Sequence, residues 1–163
     1  MLCTGNAARS VMAGRFLEEA IPDAAVVTAG THVVEHQPMS SRTREALAGR
    51  GVDPGNHRSH QLTPADVADA DLIVAMSPEH IRYVRRHHPQ AASRIATLPY
   101  LAEKLPDGAG SLAERVASLS LADVDSESQG EVPDPAGRDQ PVYVEVADQI
   151  ADLIDKLAPR VRT

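Results

Sequence analysis

Short apolar runs with strand character alternate with amphipathic helical segments along most of this chain. Residues 72–76 are an apolar run that predicts a buried strand, and residues 77–88, which begin with Ser-Pro, predict the helix that follows. A strand over residues 94–98 and a last helix over residues 142–157 continue this order. Strands separated by helices pair in parallel. We therefore expect an α/β fold of three layers, with a mainly parallel four-stranded sheet and helices on both faces.

The other predicted elements fit the same pattern. Ser10 is a possible N-cap for a helix over residues 11–20, and a β-branched run over residues 24–28 predicts a strand that ends at Ala29-Gly30. Two further helix starts are predicted from their capping residues, Ser40 or Ser41 for one and Thr63 followed by Pro64 for the other.

The length of 163 residues is that of one domain, so residues 1–163 are expected to fold as a single unit. Residues 105–131 are rich in Gly, Ser and Asp and break the strand–helix alternation. We interpret them as an excursion or mobile loop of that domain.

Charge and cysteine content narrow the possible functions. The formal net charge is −7, which argues against binding to nucleic acid or to an anionic membrane. Cys3 is the one cysteine, so an intrachain disulfide is impossible and a reducing, cytoplasmic location is favoured. No segment has the length and apolar character of a membrane helix or the pattern of a signal peptide.

Cys3 and Arg9 are separated by five small or polar residues and stand directly before a predicted helix. Gly5 allows such a loop to curve tightly, and successive N–H groups at a helix N-terminus can bind an anion. The same positive field favours the thiolate form of the cysteine, and Arg9 can bind two oxygens of an oxyanion. Ser10 can donate to the sulfur. This pattern predicts covalent catalysis with Cys3 as the nucleophile.

Two other kinds of site are disfavoured. A Walker-type phosphate loop is excluded, because no Gly-Lys-Ser/Thr follows the glycine. A zinc site is unexpected with one cysteine, and His57, His60, His87 and His88 are interpreted as solvated or hydrogen-bonding residues. We predict no metal and no cofactor.

The segment 3–15 resembles the active-site loop and first helix of the low-molecular-weight protein tyrosine phosphatase family. Ordered matches extend the resemblance over most of the chain. They are Thr28-Ala29-Gly30-Thr31, Gly51-Val52-Asp53, His57-Arg58-Ser59, Gln61-Leu62-Thr63, residues 71–76 with His80, and Val132-Pro133-Asp134-Pro135.

The resemblance implies a phosphomonoester hydrolase that acts through a cysteinyl-phosphate intermediate. It assigns catalysis to Cys3, Arg9 and Asp134, with Asp134 first as the acid and then as the base. It implies that the substrate is a phosphorylated protein or a small phosphomonoester, with phosphate or another oxyanion in the loop. The substrate-binding residues implied are Thr4, Gly5, Asn6, Ala7, Ala8, Arg9 and Ser10.

The chain departs from the family pattern in several places. Ala8 stands where the family usually has a second cysteine, and Val11 where it has a proline. The aromatic residue usual after Asp-Pro is Ala136, which weakens the tyrosine assignment, because ring stacking can contribute about 0.5–1.5 kcal/mol. His32 or Arg138 is a possible replacement at the mouth of the site.

The resemblance also implies a first strand of about five apolar residues, near the common strand length. Only Met1 and Leu2 precede Cys3, so we expect this strand to be short or missing. Either the start is set too late or the central strand is reduced, and low stability or activity is then expected.

Two alternatives remain open at this stage. One is arsenate reduction with a small-thiol cofactor on the same fold, because arsenate mimics phosphate. The other is a non-catalytic, phosphate-binding regulatory module.

Overall fold

Four short parallel strands form one sheet in the computed structural model, which describes residues 1–162. They are β1 (Leu2–Cys3), β2 (Ala29–Gly30), β3 (Ile73–Ala75) and β4 (Ile95–Thr97), in the order β2-β1-β3-β4. In register, Leu2 faces Ala29 of β2 and Ala75 of β3. The expected parallel sheet is confirmed, and so is a short first strand, which lies in the interior of the sheet.

Helices cover both faces of this sheet. The helices of the described residues are α1 (Arg9–Ala20), α2 (Ser41–Gly49), α3 (Pro64–Asp69), α4 (Pro78–His87), α5 (Leu98–Lys104), α6 (Leu112–Ala117) and α7 (Gln140–Val161). None of them combines the length and apolar character that crossing a membrane requires.

Alternate strand residues point to opposite faces and build two separate cores. Leu2, Ile73 and Ile95 pack on one face with residues of α3 and α4. The neighbouring residues Cys3, Val74 and Ala96 belong to the other core, with α1, α2, α5 and α7. Cys3 thus lies at the end of a strand that is anchored on both faces.

Two of the predicted helix starts are confirmed. The Ser40 hydroxyl accepts from the Thr43 N–H at 3.1 Å, so α2 begins at Ser41. Thr63 and Asp66 form a reciprocal capping box, with Pro64 in the first turn of α3.

Two local predictions are wrong. The second strand is Ala29–Gly30 and not residues 24–28. That segment lies before the partner of Leu2 in the register, and its contact with the start of the chain is a hydrogen bond from the Met1 amino group to the Val27 carbonyl, at 2.8 Å. Helix α1 begins at Arg9 after Ala8, so Ser10 is a helical residue and not the cap. The fourth strand lies within the predicted range and ends at Thr97, which caps α5 with Pro99 in the first turn of that helix.

Residues 105–131 contain α6 and a 3₁₀ turn over Ser126–Gln129. Val116 and Leu121 are buried in the core. The Arg85 guanidinium of α4 donates to the carbonyls of Leu121 and Val124, at 2.6 and 2.9 Å. These contacts attach the segment to α4.

The sheet order places the carboxyl end of β1 at a switch point. From β1 the chain crosses to β2 on one side, and the later strands β3 and β4 lie on the other. Ligands of open parallel sheets bind at such a point, at the carboxyl ends of the strands. The loop between Cys3 and α1 occupies this position.

Gly30 allows β2 to approach that loop. A Cβ at this position would lie 2.5 Å from the Thr4 carbonyl oxygen, 3.1 Å from the Asn6 nitrogen and 2.3 Å from a Val33 methyl group. We expect Gly30→Ala to displace the loop and to lower both Tm and the phosphomonoester hydrolysis that the sequence predicts. Gly49→Ala is the matched control, since its Cβ meets nothing within 4 Å and the substitution should leave both quantities near their wild-type values. Unchanged turnover in Gly30→Ala would contradict this packing.

Candidate active site

The loop from Cys3 to Arg9 presents a row of backbone N–H groups with no protein acceptor. Within residues 1–162, no carbonyl or side chain accepts a hydrogen bond from the N–H groups of residues 4–9, and the first such bond of α1 runs from Met12 to the Ala8 carbonyl. Backbone N–H groups in a folded protein almost always find a partner. A row of them at a helix N-terminus is a binding site for an anion.

Asn6 holds this loop in its shape. Its φ of 49° lies in the left-handed region, and its side chain is fully buried. The amide nitrogen donates to the Ser10 hydroxyl at 2.9 Å, and the amide oxygen accepts from the His60 N–H at 2.9 Å. His57 Nε2 lies 2.7 Å from the Asn6 carbonyl and donates to it. The strained conformation is therefore fixed by three hydrogen bonds.

The Cys3 sulfur lies at the base of the loop and is buried. The Ser10 hydroxyl is 3.0 Å from Sγ, as the sequence predicted for this pair. Because Ser10 Oγ already accepts from the Asn6 amide, its own proton is free to point at the sulfur. The Ser10 hydroxyl is therefore positioned to donate a hydrogen bond to the sulfur.

Arg9 and Asp134 meet beside the loop although they are far apart in sequence. Arg9 is 4% exposed, and its guanidinium lies 2.9 Å from Asp134 Oδ2 and 3.3 Å from the Val132 carbonyl. Asp134 is half exposed, and its other oxygen accepts from the Ala136 N–H at 3.0 Å. Asp134 is thus held at the open side of the loop, with Pro135 stiffening the turn.

Thr4 connects the loop to the first turn of α4. The buried His80 accepts from the Ser77 N–H through Nδ1 at 3.1 Å, so its neutral ring carries the proton on Nε2, 3.0 Å from the Thr4 hydroxyl. The Thr4 hydroxyl in turn donates to Glu79 at 3.3 Å. Burial lowers the pKa of His80 to about 4, and the Arg9 charge acts in the same direction.

A cleft of about 580 Å³ opens from Thr4 along α4. Its lining includes Thr31, His32 and Tyr83, and the rings of His32 and Tyr83 are edge to face, 5.5 Å apart. An aromatic ring therefore lines the same cleft as Thr4 of the loop, supplied by α4 and not by the segment after Asp134. Among the described residues, no group of three or more His, Cys, Asp or Glu side chains is arranged to hold a metal ion.

The fold brings together the site residues that the sequence singled out, Cys3, Thr4, Asn6, Arg9, Ser10 and Asp134. Gly5 was expected to allow the tight curve of the loop, but the positive φ lies at Asn6 and not at Gly5. A Cβ at Gly5 would meet nothing within 4 Å. Ala7 contributes its carbonyl, which accepts from the Thr43 hydroxyl at 2.9 Å.

Sequence reasoning missed three residues at the site, His57, Glu79 and Tyr83. Glu79 could have been placed from the sequence, because Ser77 and His80 have the spacing of a helix start and Glu79 lies between them. Nothing local in the sequence indicated that His57 reaches the Asn6 carbonyl.

The buried neutral His80 predicts a loss of stability in acid. The unfolded chain takes up the His80 proton as pH falls below about 6.5, whereas the folded chain does so only near 4. The free energy of unfolding should therefore decrease through this window, by about 3 kcal/mol at its lower end. Urea unfolding of wild type and His80→Gln between these pH values checks the expectation. Equal decreases in the two proteins would contradict it.

Comparison with known proteins places this site in a family. The sequence model of the low molecular weight phosphotyrosine protein phosphatase family matches residues 1–105 of this chain. A probable low molecular weight protein-tyrosine-phosphatase, EpsP of Ralstonia solanacearum, is 34% identical over 98 residues, 60% of this chain and 68% of that protein. A protein-arginine-phosphatase of Geobacillus stearothermophilus is 28% identical over 163 residues, 99% of this chain and 94% of that protein.

Solved structures agree with these matches. The YwlE arginine phosphatase of G. stearothermophilus superposes with a TM-score of 0.78 at 28% identity, over 96% of this chain and 87% of that one. A low molecular weight protein tyrosine phosphatase of T. tengcongensis superposes with a TM-score of 0.75 at 30% identity, over 96% and 93% of the two chains. The chain belongs to the low molecular weight phosphotyrosine protein phosphatase family.

Proposed function

We propose that this phosphatase uses Cys3 as its nucleophile, Arg9 and the loop N–H groups as its phosphate site and Asp134 as its acid and base. The observation that carries the proposal is the run of N–H groups of residues 4–9, which have no acceptor within residues 1–162, in the loop that begins at the buried Cys3. A tetrahedral oxyanion supplies the acceptors that these groups lack.

In the first step, the Cys3 thiolate attacks phosphorus and the bond from phosphorus to the leaving oxygen breaks. The electron pair goes to that oxygen, which takes a proton from Asp134. The loop N–H groups and Arg9 bind the phosphoryl oxygens while the charge redistributes. The products of this step are the dephosphorylated alcohol or phenol and a phosphoryl group on Cys3.

In the second step, the Asp134 carboxylate removes a proton from water, which attacks phosphorus. The sulfur–phosphorus bond breaks, inorganic phosphate leaves and the thiolate is restored. The Ser10 hydroxyl, 3.0 Å from the sulfur, stabilises the thiolate as it departs.

Arg9 exchanges partners during this cycle. In the structure its guanidinium holds the Asp134 carboxylate at 2.9 Å. A phosphoryl group in the loop competes for the same guanidinium, which frees the Asp134 side chain to face the leaving group. Binding of the phosphate thereby prepares the acid.

We propose a phosphorylated protein as the substrate, with phosphotyrosine as the preferred side chain. The family description and the ring of Tyr83 beside the loop support this assignment. Phosphoarginine is the second candidate. Ala136 and Gly137 leave the acid loop without a ring, while Asp134 and Glu79 place two half-exposed carboxylates where a guanidinium could bind.

We propose that the enzyme works in the cytoplasm. The mechanism needs a reduced thiol, and the chain has no second cysteine that could protect Cys3 in a reversible disulfide.

Replacement of the three catalytic residues tests the mechanism on an aryl phosphate. We expect Cys3→Ser to lose at least about 10³-fold in kcat, and Asp134→Asn to lose about 10²–10⁴-fold. Arg9→Lys should also be severely impaired, because an ammonium cannot bind two oxygens in one plane. Glu131→Gln is the matched control for Asp134→Asn, since Glu131 is an exposed carboxylate three positions earlier.

Steady-state kinetics and circular dichroism on each variant separate the alternatives. Full activity of Cys3→Ser would contradict the mechanism. Arsenate-dependent thiol oxidation without turnover of the aryl phosphate would favour an arsenate reductase. A folded wild-type protein that binds phosphate but turns over neither compound would favour a regulatory module.

Two peptides that differ only in the phosphorylated residue test the substrate assignment. We expect a higher kcat/KM for the phosphotyrosyl peptide than for the phosphoarginyl peptide. If the phosphoarginyl peptide is preferred and Glu79→Gln lowers only its hydrolysis, the second candidate replaces the first.

A further inference from the structure

We propose that the cleft along α4 binds an acidic segment of the substrate chain next to the phosphorylated residue, with Arg86 as its cationic contact. The proposal rests on the proposed function, because it assigns to this phosphatase a second contact with its protein substrate. It depends on the position of the cleft, on the charge of α4 and on the surface that the cleft offers.

The cleft begins at the catalytic loop and runs along one face of α4. Thr4 and Glu79 line its inner end and hydrogen-bond to each other, while Arg86 and His87 line it farther along the helix. Arg86 lies two helical turns beyond Glu79, about 10 Å along the axis. A peptide whose phosphorylated side chain enters the loop therefore has a continuous path along this face.

The arginines of α4 differ in how they are used. Arg82 is paired with Glu127, and Arg85 donates to two backbone carbonyls of the 105–131 segment. Arg86 is exposed in the cleft and forms neither a salt bridge nor a side-chain hydrogen bond within residues 1–162. A free guanidinium is thus directed to the cleft of a protein whose net charge is −7.

Three rings form a surface between the loop and Arg86. Tyr83 lies between His32, 5.5 Å away, and His87, 4.5 Å away, measured between ring centroids. The three rings are inclined to one another, by 70° and 40°, and present both apolar faces and hydrogen-bonding edges, which suits an extended backbone more than a compact apolar ligand.

Distances indicate which substrate residue meets Arg86. An extended chain advances about 3.3 Å per residue, so about 10 Å corresponds to about three residues. We therefore expect Asp or Glu about three positions from the phosphorylated residue to contact Arg86. The acidic residue of the peptide is attracted by Arg86 and repelled by the acidic residues elsewhere on this protein, whose net charge is −7.

Four substrates measure the contribution of Arg86. They are para-nitrophenyl phosphate, a phosphotyrosyl peptide with neutral flanks, and two peptides with a run of Glu on the amino or carboxyl side of the phosphotyrosine. We expect one Glu-flanked peptide to have a lower KM than the neutral peptide, by about fivefold. Arg86→Gln should abolish that difference while its kinetics on para-nitrophenyl phosphate stay unchanged. The advantage should also disappear near 1 M salt, where the screening length is about 3 Å.

Lys156→Gln is the control for charge, because Lys156 is an exposed cation on α7. It should retain the preference for the Glu-flanked peptide. Equal KM values for all three peptides, or a preference that survives in Arg86→Gln, would overturn the proposal. Failure of the proposed function is a separate result, since wild type would then not hydrolyse para-nitrophenyl phosphate at all.

Discussion

The left-handed conformation of Asn6 is the constraint on which the rest of the site depends. It turns the chain within the loop whose N–H groups, those of residues 4–9, have no acceptor within residues 1–162. A loop left alone would relieve both the strain and the unpaired donors by closing on itself. The hydrogen bonds from Asn6 to Ser10 and His60, and from His57 to Asn6, oppose that closure.

The same set of contacts links the loop to the chemistry of the sulfur. Ser10 accepts from Asn6 and lies against Cys3, so the residue that fixes the loop also orients the donor to the nucleophile. On the opposite side, Thr4 is held by His80 and Glu79 at the start of α4. The neutral state of the buried His80 matters here, because a second cation beside Arg9 would disturb the balance of charge around the site.

Much of the fold could be predicted because its signals are local. Ser40 and Thr63 each stand directly before their helices with the capping chemistry that fixes a helix start, and the apolar run around Val74 has the composition of a buried parallel strand.

The short β2 was placed too early because its position depends on its register with β1, which no local pattern contains. The role of Gly5 was overestimated for a related reason. Glycine is the usual residue at a positive φ, but here the side-chain bonds of Asn6 make that position the left-handed one.

The site itself was predicted in part. Cys3, Arg9 and Ser10 form a short motif, and the family resemblance added Asp134. The sequence did not assign His57, Glu79 and Tyr83 to the site, because they come from segments that are distant from the loop along the chain. The absence of a ring after Asp134-Pro135 weakened the tyrosine assignment at the sequence level. The structure supplies a ring from the other side of the loop, at Tyr83.

The central claim is that the open N–H groups and Arg9 bind a phosphoryl group while it is transferred to Cys3. The most direct measurement is mass spectrometry of the protein after rapid mixing with an aryl phosphate and quenching in acid. The account predicts one added phosphoryl group, located on the peptide that contains Cys3 and absent in Cys3→Ser. Turnover with no phosphoryl group on Cys3, or with the group on another residue, would contradict it.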